Sequence, residues 1–328
     1  MLNKKGFLLT AVFILVISLL ASPALAKNYY KASKETPGTS AYEHVTYLAG
    51  EFGDRPAGTE DEKQTAAYIY NQFAELGYGP EYQEFNFEHD ANLVDSQNVI
   101  AVKEGRSDKQ IIIGAHYDTV DGVEGVDDNG SGVGVMLEVA ENLKDLKTPY
   151  TIKFIGFGAE ELGLVGSEHY VSQMSENEID NTVAMINLDS LAAGDNMHVY
   201  GNDGEEGWVR DLALDIAKKR KLDVGTNPGL NEHYPAGTTG DWSDHAPFKE
   251  AGIPYAYLEA TNWELGDLDG YTQTEKHGEI WHVPEKDNLE FIQAEFPGRI
   301  EERLSTFSQL LTELVQKINH GTVERNNG

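Results

Sequence analysis

Short, mainly apolar runs that alternate with helical patterns place the tightest constraint on the fold of this chain. The runs are four to six residues long and lie at 111–115, 152–157, 183–188, 197–200 and 254–258. Runs of this length are typical of strands that are covered on both faces. Helical patterns follow at 132–143, 161–172, 207–219 and 243–251. This alternation predicts an α/β fold in which helices cover both faces of one sheet.

Further patterns extend this core in both directions. Thr59 and Glu62 form a capping-box sequence before a predicted helix, and two neighbouring strands are predicted at 82–88 and 98–102. A single apolar stripe from Ile300 to Ile318 predicts a long terminal helix. No internal repeat or long linker is present, so we expect one domain over 41–318, followed by a flexible polar tail at 319–328.

The N-terminus has the composition of a secretory signal. Lys4 and Lys5 precede an apolar run at 7–20, and Ala24-Leu25-Ala26 is a cleavage pattern. The alternative is a transmembrane anchor, but the run is short for a span of about 20 residues. We expect cleavage near Ala26, a polar leader at 27–40, and a secreted bacterial protein without a permanent membrane anchor.

Charge and cysteine content exclude several classes of function. The chain has 25 Lys and Arg against 55 Asp and Glu, for a net charge of −30, which argues against nucleic-acid binding. It has no cysteine, so thiolate metal sites, disulfides and a cysteine nucleophile are excluded. Any metal must be held by His, Asp and Glu, and most of the acids should form a solvated surface with a possible role in Ca²⁺ binding.

Groups that can ligate metal or move protons follow three of the predicted strands. His116 and Asp118 follow the first, the pair Glu160-Glu161 the second and Asp189 the third. Carboxyl ends of parallel strands meet at one edge of a sheet, where ligands bind. His116 and Asp118 fit a metal-bound imidazole oriented by a carboxylate, although a structural strand-end histidine would look the same.

Two adjacent carboxylates are costly in an apolar setting unless cations compensate them. One of Glu160 and Glu161 can bind metal while the other acts as a base on the metal-bound water. Alternatively, both simply stabilise the N-terminus of a helix through its dipole. Asp127-Asp128 lies in a glycine-rich loop that could be only a turn, and His282 stands late in the chain. Each signal alone is weak, but their order is distinctive.

That order resembles peptidase family M28, the co-catalytic zinc aminopeptidases of the secreted bacterial leucyl-aminopeptidase type. The matching segments lie at 55–59, 114–119, 126–132, 159–167, 187–189 and 243–248, followed by His282. The resemblance covers roughly 42–314 and leaves no room for an inserted protease-associated domain. It implies a three-layer α/β/α sandwich around a mixed, mostly parallel sheet, of the zinc exopeptidase type.

The resemblance also implies a role for each residue of the site. Asp128 would bridge two Zn²⁺ ions, with Glu161 and His282 completing one site and His116 and Asp189 the other. The peptide bond after Asp128 would be cis.

Two further residues would serve catalysis. Glu160 would be the general base that activates water, and Asp118 would orient His116. The expected reaction is hydrolysis of the N-terminal bond of peptides or proteins by a monomeric enzyme.

The substrate side is less well defined. In the resemblance, Asp244 and His245 line this side, and Ser243-Asp244-His245 cannot form a serine-protease relay because its residues are adjacent. Trp281 stands where some members have a tyrosine that stabilises the tetrahedral intermediate. Tyr234 is a possible substitute for that tyrosine.

Three alternatives remain open. A glutaminyl cyclase shares this fold but works with a single zinc ion. A carboxypeptidase of the same family would need a cationic cluster for the substrate carboxylate, and none is evident near the motifs. A non-catalytic relative would be expected to lose ligands or the base.

Overall fold

The computed structural model describes residues 36–326, which form seven strands and ten α-helices. The strands are β1 (Glu81–His89), β2 (Asn92–Lys103), β3 (Gln110–His116), β4 (Thr151–Phe157), β5 (Thr182–Leu188), β6 (Asn196–Gly201) and β7 (Tyr255–Thr261). The helices are α1 (Thr39–Glu51), α2 (Glu60–Leu76), α3 (Gly132–Leu143), α4 (Val165–Gln173), α5 (Glu176–Asn181), α6 (Trp208–Arg220), α7 (His245–Glu250), α8 (Leu289–Glu295), α9 (Arg299–Lys317) and α10 (His320–Asn326). Each predicted strand is therefore present, with ends that differ by a few residues.

The seven strands form one mixed sheet in the order β1-β2-β4-β3-β5-β7-β6. The four central strands, β4, β3, β5 and β7, run parallel to one another. The remaining pairings are antiparallel, β1 and β2 at one edge and β6 at the other. The carboxyl ends of the central strands consequently lie at the same edge of the sheet.

Helices cover both faces of the sheet, and the predicted sandwich is confirmed. One hydrophobic cluster joins side chains of α1, α2, α3, α6 and α9 to one face, and a second joins α4 and α7 to the other. Ile111 and Ile113 belong to the first cluster and Ile112 to the second, because successive side chains of a strand point to opposite faces. Burial on both faces explains why β3 is apolar along nearly its whole length.

The ends of the chain differ in part from the sequence-based expectation. The predicted signal at 1–26 lies outside the described residues, and α1 begins at Thr39, within the segment predicted as a leader. The segment predicted as a flexible tail forms α10, in which Val323 is buried. None of the helices in residues 36–326 combines the length and the apolar character that a membrane span requires.

Candidate metal centre

Residues at or just after the carboxyl ends of three parallel strands lie close together. His116 is the last residue of β3, Asp189 directly follows β5, and Glu160 follows β4. The Nε2 atom of His116 lies 3.5 Å from Oδ1 of Asp189 and 3.9 Å from Oε2 of Glu160. The structure therefore brings together the groups that the sequence placed at separate strand ends.

Asp128 lies between two histidines that are far apart in sequence. Its Oδ1 is 3.1 Å from Nε2 of His116, and its Oδ2 is 3.2 Å from Nε2 of His282. Oε2 of Glu161 is 3.1 Å from the same His282 nitrogen. Two clusters of three donors thus share Asp128, one completed by His116 and Asp189 and the other by Glu161 and His282, with donor atoms within 4.8 Å of one another in each.

The donor chemistry of these two clusters fits zinc. Three carboxylates and two imidazoles supply only oxygen and nitrogen, which Zn²⁺ accepts. Oε1 of Glu161 is buried without a hydrogen-bond partner in the protein, and an unsatisfied buried carboxylate oxygen is costly unless a cation meets it. Every group of three or more potential metal donors within residues 36–326 belongs to this site. The expected Ca²⁺ binding at the acidic surface therefore has no such donor group in the described residues to support it and stays a prediction.

The carboxylates of the site lie close together and are largely buried. Burial raises the pKa of Glu160 well above its ordinary value and that of Glu161 to about 7. Hydrogen bonds to Asp128 and Glu161 raise the pKa of His282 to about 11. Burial opposes ionisation of both His116 and Asp128. The carboxylates around His116 nevertheless raise its pKa, and the histidines beside Asp128 lower the pKa of that aspartate. Without a divalent cation, protons must therefore compensate the negative charge here.

Asp118 holds the turn that carries both glutamates. Its Oδ1 accepts the backbone N–H of Glu160 at 3.0 Å, and its Oδ2 accepts that of Glu161 at 3.1 Å. Nδ1 of His116 is 3.2 Å from the Asp118 carbonyl oxygen and 3.7 Å from the carboxylate. The carboxylate that was expected to orient His116 therefore contacts mainly the backbone of the glutamate pair.

The loop that carries Asp128 is fixed by its neighbour and by a distant residue. The Asp127 carboxylate accepts the N–H groups of Ala192 and Ala193 at 2.6 and 2.9 Å. Both oxygens of Asp287 accept backbone N–H groups, from Asp127 at 2.7 Å and from Asp128 at 3.1 Å. The Asp128–Asn129 peptide is cis, as the resemblance implies.

Gln273 connects this loop to the segment that carries His282. Its Nε2 donates to Oδ2 of Asp127 at 2.6 Å, and its Oε1 accepts the N–H groups of Ile280 and Trp281 at 2.7 and 2.8 Å. Sequence reasoning missed both Gln273 and Asp287. Neither residue lies in a motif or at the end of a predicted strand, so nothing in the sequence indicated their contacts.

Arg55, the first residue of the segment 55–59 that resembles the family, is buried. The Arg55 guanidinium donates only to backbone carbonyls, those of Gly53, Tyr117, Glu124 and Gly125, at 2.6 to 3.1 Å. Tyr117 directly follows β3, and Glu124 and Gly125 belong to the loop before Asp128, whereas Gly53 lies in the segment after α1. Arg55 therefore stabilises the backbone on which two of the metal donors lie.

A pocket of about 320 Å³ opens beside the metal donors. Besides Glu160 and every donor except His116, it is lined by Gly163, Leu164, Ser190, Asp241, Trp242, Tyr257, Glu259, Tyr271 and Trp281. The site is thus open to solvent on one side and walled by aromatic rings.

The three residues expected on the substrate side do not line this pocket. Asp244 is fully buried, and burial raises its pKa to about 7. His245 is also fully buried, with its ring 4.7 and 4.9 Å from those of Tyr255 and Tyr257. Tyr234 packs against Trp242 at 5.6 Å. The structure does not place Asp244, His245 or Tyr234 among the residues that line the pocket.

The model of peptidase family M28 matches residues 98–308. The alkaline phosphatase isozyme conversion protein of Escherichia coli (strain K12) is 38% identical over 88% of this chain and 92% of its own length. Aminopeptidase YwaD of Bacillus subtilis (strain 168) is 36% identical over 67% of this chain, and the match spans 44% of that relative.

Two solved structures are similar in fold. A zinc aminopeptidase from Bacillus subtilis, BSAP, has a TM-score of 0.71 at 22% identity, over 87% of this chain and 97% of its own. The glutaminyl cyclase of Porphyromonas gingivalis has a TM-score of 0.64 at 21% identity, over 85% and 97%. At these identities the similarity extends to the fold alone.

Proposed function

The chain belongs to peptidase family M28, and on that premise we propose that it is a zinc-dependent aminopeptidase with two metal ions in its active site. The observation that carries the proposal is the position of Asp128. Its two oxygens lie 3.1 and 3.2 Å from the nitrogens of His116 and His282. One carboxylate shared by two donor clusters is the arrangement that a two-metal hydrolase needs.

The metal donors are His116, Asp128 and Asp189 in one cluster and Asp128, Glu161 and His282 in the other. When bound, zinc would supply Lewis acidity for the scissile carbonyl and for the attacking water. Glu160 faces the same space and is not needed as a donor in either cluster. It takes the proton of the attacking water and returns it to the leaving amine. Asp118 holds Glu160 in place through its backbone N–H.

A requirement for a free N-terminus tests this assignment. We expect hydrolysis of aminoacyl-4-nitroanilides with a free amine, assayed as the leucyl and arginyl compounds, and none of their N-acetyl forms, because the acetyl group removes the amine that anchors the substrate. A chelator should abolish activity and added zinc should restore it. Equal cleavage of the acetylated substrate, or no cleavage by zinc-loaded protein, would contradict the proposal.

Glutaminyl cyclase activity is the second candidate, since a solved cyclase shares the fold. Both donor clusters are complete in this chain, which favours the peptidase. Incubation with a glutaminyl peptide, followed by mass spectrometry, separates the two activities. A cyclase releases ammonia and leaves a pyroglutamyl peptide, whereas the peptidase releases free glutamine.

Secretion is part of the proposal and concerns residues outside the described range. The apolar run at 7–20 and the Ala24-Leu25-Ala26 pattern support export with cleavage near Ala26. N-terminal sequencing of protein from the medium of an expressing bacterium should begin near Lys27. Retention of all product in the membrane fraction would contradict secretion.

A further inference from the structure

Glu259 is a carboxylate of the pocket wall that neither donor cluster uses. It lies on β7, next to β5, and the backbone N–H of Asp189 donates to the carbonyl of Leu258 at 3.2 Å. Glu259 is 1% exposed, yet it lines the pocket together with the metal donors. A buried carboxylate at a binding surface costs free energy unless something compensates its charge.

Two tyrosines orient this carboxylate without neutralising it. The Tyr200 hydroxyl donates to Oε2 at 2.7 Å, and the Tyr257 hydroxyl donates to Oε1 at 2.9 Å. Trp263 donates in turn to the Tyr200 oxygen at 2.7 Å. Each carboxylate oxygen accepts about two hydrogen bonds, so Glu259 keeps capacity for a further donor.

No lysine or arginine lines the pocket, and within the described residues Glu259 has no ion-pair partner. Asp241, at the same pocket, differs because Nζ of Lys249 lies 2.6 Å from its Oδ1. Burial raises the pKa of Glu259 to about 8, and the charge of Asp189 adds to the effect. Without a cation the neutral acid is therefore favoured near pH 7, and a positively charged ligand would favour the ionised carboxylate.

Aromatic rings surround the space that such a ligand would enter. Trp242, Tyr271 and Trp281 line the pocket, with the Tyr271 ring 5.8 Å from that of Trp242 and 5.7 Å from that of Trp281. Faces of tryptophan and tyrosine attract guanidinium and ammonium groups, and guanidinium also stacks on them. The pocket wall thus combines a carboxyl group that has no ion-pair partner within the described residues with aromatic rings that can bind a long cationic side chain.

From this juxtaposition we propose that Glu259 and the surrounding rings select peptides whose N-terminal residue is arginine or lysine. The proposal rests on the aminopeptidase function above, because it places the N-terminal side chain in this pocket. Glu259 is then a specificity-determining residue that binds the side-chain cation. A leucyl side chain offers no cation to favour the ionised form of Glu259 and makes no ion pair with it.

Neutral isosteres test the proposal in the zinc-loaded protein. We expect kcat/KM for arginyl-4-nitroanilide to exceed that for the citrullyl compound by about tenfold or more, the ratio that corresponds to roughly 1.4 kcal/mol. Glu259→Gln should bring the two values close together, while Glu264→Gln, at an exposed position on the segment after β7, should preserve the ratio. Equal rates for the arginyl and citrullyl compounds in the unaltered protein would overturn the proposal.

Two other outcomes are informative. An equal loss for arginyl and leucyl substrates in Glu259→Gln would show that Glu259 binds the α-ammonium group instead, and would also overturn it. If no anilide is cleaved at all, the proposed function fails, and binding still tests the pocket. Argininamide should then raise the unfolding temperature of zinc-loaded protein more than citrullinamide does, and equal shifts would refute cation selection.

Discussion

The two adjacent glutamates illustrate how the backbone assigns different roles to identical side chains. Asp118 accepts the N–H groups of both residues, which fixes the turn at the end of β4. Glu161 then reaches His282 at 3.1 Å, while Glu160 stays 3.9 Å from His116. Ala159, just before the pair, has a positive φ of 55° that few residues other than glycine adopt. The turn thus separates the proposed metal donor, Glu161, from the proposed base, Glu160.

Glu160→Gln tests this division of roles. The amide cannot take a proton, so kcat should fall by roughly a hundred- to ten-thousand-fold, the range for loss of a general base. Zinc content, measured by atomic absorption, should not change, because the two clusters that share Asp128 are complete without Glu160, although Glu160 also lies within donor distance of His116 and Glu161. Glu168→Gln, on the exposed face of α4, is the matched control. Unchanged kcat with zinc bound would refute the assignment of Glu160.

At this scale the sequence predicts donors better than their supports. His116, Glu160 and Asp189 were predictable because each follows an apolar run, and strand ends converge. Asp287 and Gln273 were not, since their contacts depend on how distant loops meet. The expected substrate-side position of His245 overlooked its stacking against Tyr255 and Tyr257. Contacts of this kind are set by packing, which a single sequence does not display.

Among the elements, the loop before α3 and the segment around His282 each carry a proposed metal donor, Asp128 and His282, whose side chains lie 3.2 Å apart. Gln273 joins them through Asp127 and through the N–H groups of Ile280 and Trp281. Such supports usually tune metal affinity strongly.

Gln273→Ala should therefore weaken zinc binding by about ten- to a hundredfold. Competition with a fluorescent chelator measures this change. The control is Gln64→Ala, whose side chain lies exposed on α2 and contacts only Glu60 at 3.4 Å. Equal affinities of the two variants would mean that the loops hold their positions without the glutamine.

The contact between α1 and α2 contains a pH-sensitive residue. Nδ1 of His44 lies 2.6 Å from the hydroxyl oxygen of Tyr68, and burial lowers the pKa of His44 to about 4. An unfolded histidine titrates near 6.5, so between about pH 6.5 and 4 the unfolded chain binds more protons. The free energy of unfolding should fall as the pH drops through this window, by at most roughly 3 kcal/mol from His44.

His44→Gln should reduce this loss. Urea unfolding of both metal-free proteins, at about pH 7 and pH 4.5, measures the difference, and contributions from the metal donors cancel. His320→Gln, in α10, provides a histidine control. An equal acid dependence in His44→Gln and the unaltered protein would rule out the contribution of His44.

For the whole molecule, the alternation of apolar runs predicted the sandwich but not the direction of every strand. Burial on both faces makes β3 and β5 apolar, and this composition is visible in sequence. The antiparallel edges follow from connections that composition does not encode. Helix α4 begins at Val165, later than predicted, because residues 160–164 form the turn of the glutamate pair. The short helices α5 and α8 also escaped prediction, because so few residues show little periodicity.

The chain has a net charge of −30, but the proposed function depends on only a small part of it. Only a few of the 55 acidic residues lie in the centre, where burial and mutual repulsion demand cations. The central claim is that this demand is met by two zinc ions that share Asp128.

Zinc titration of the metal-free protein, followed by both calorimetry and aminopeptidase activity, tests that claim most directly. We expect about two equivalents to bind per chain, Asp128→Asn to weaken both binding events, and activity to reach its maximum as the second site fills. Full activity at a single equivalent, with no second binding event, would contradict it.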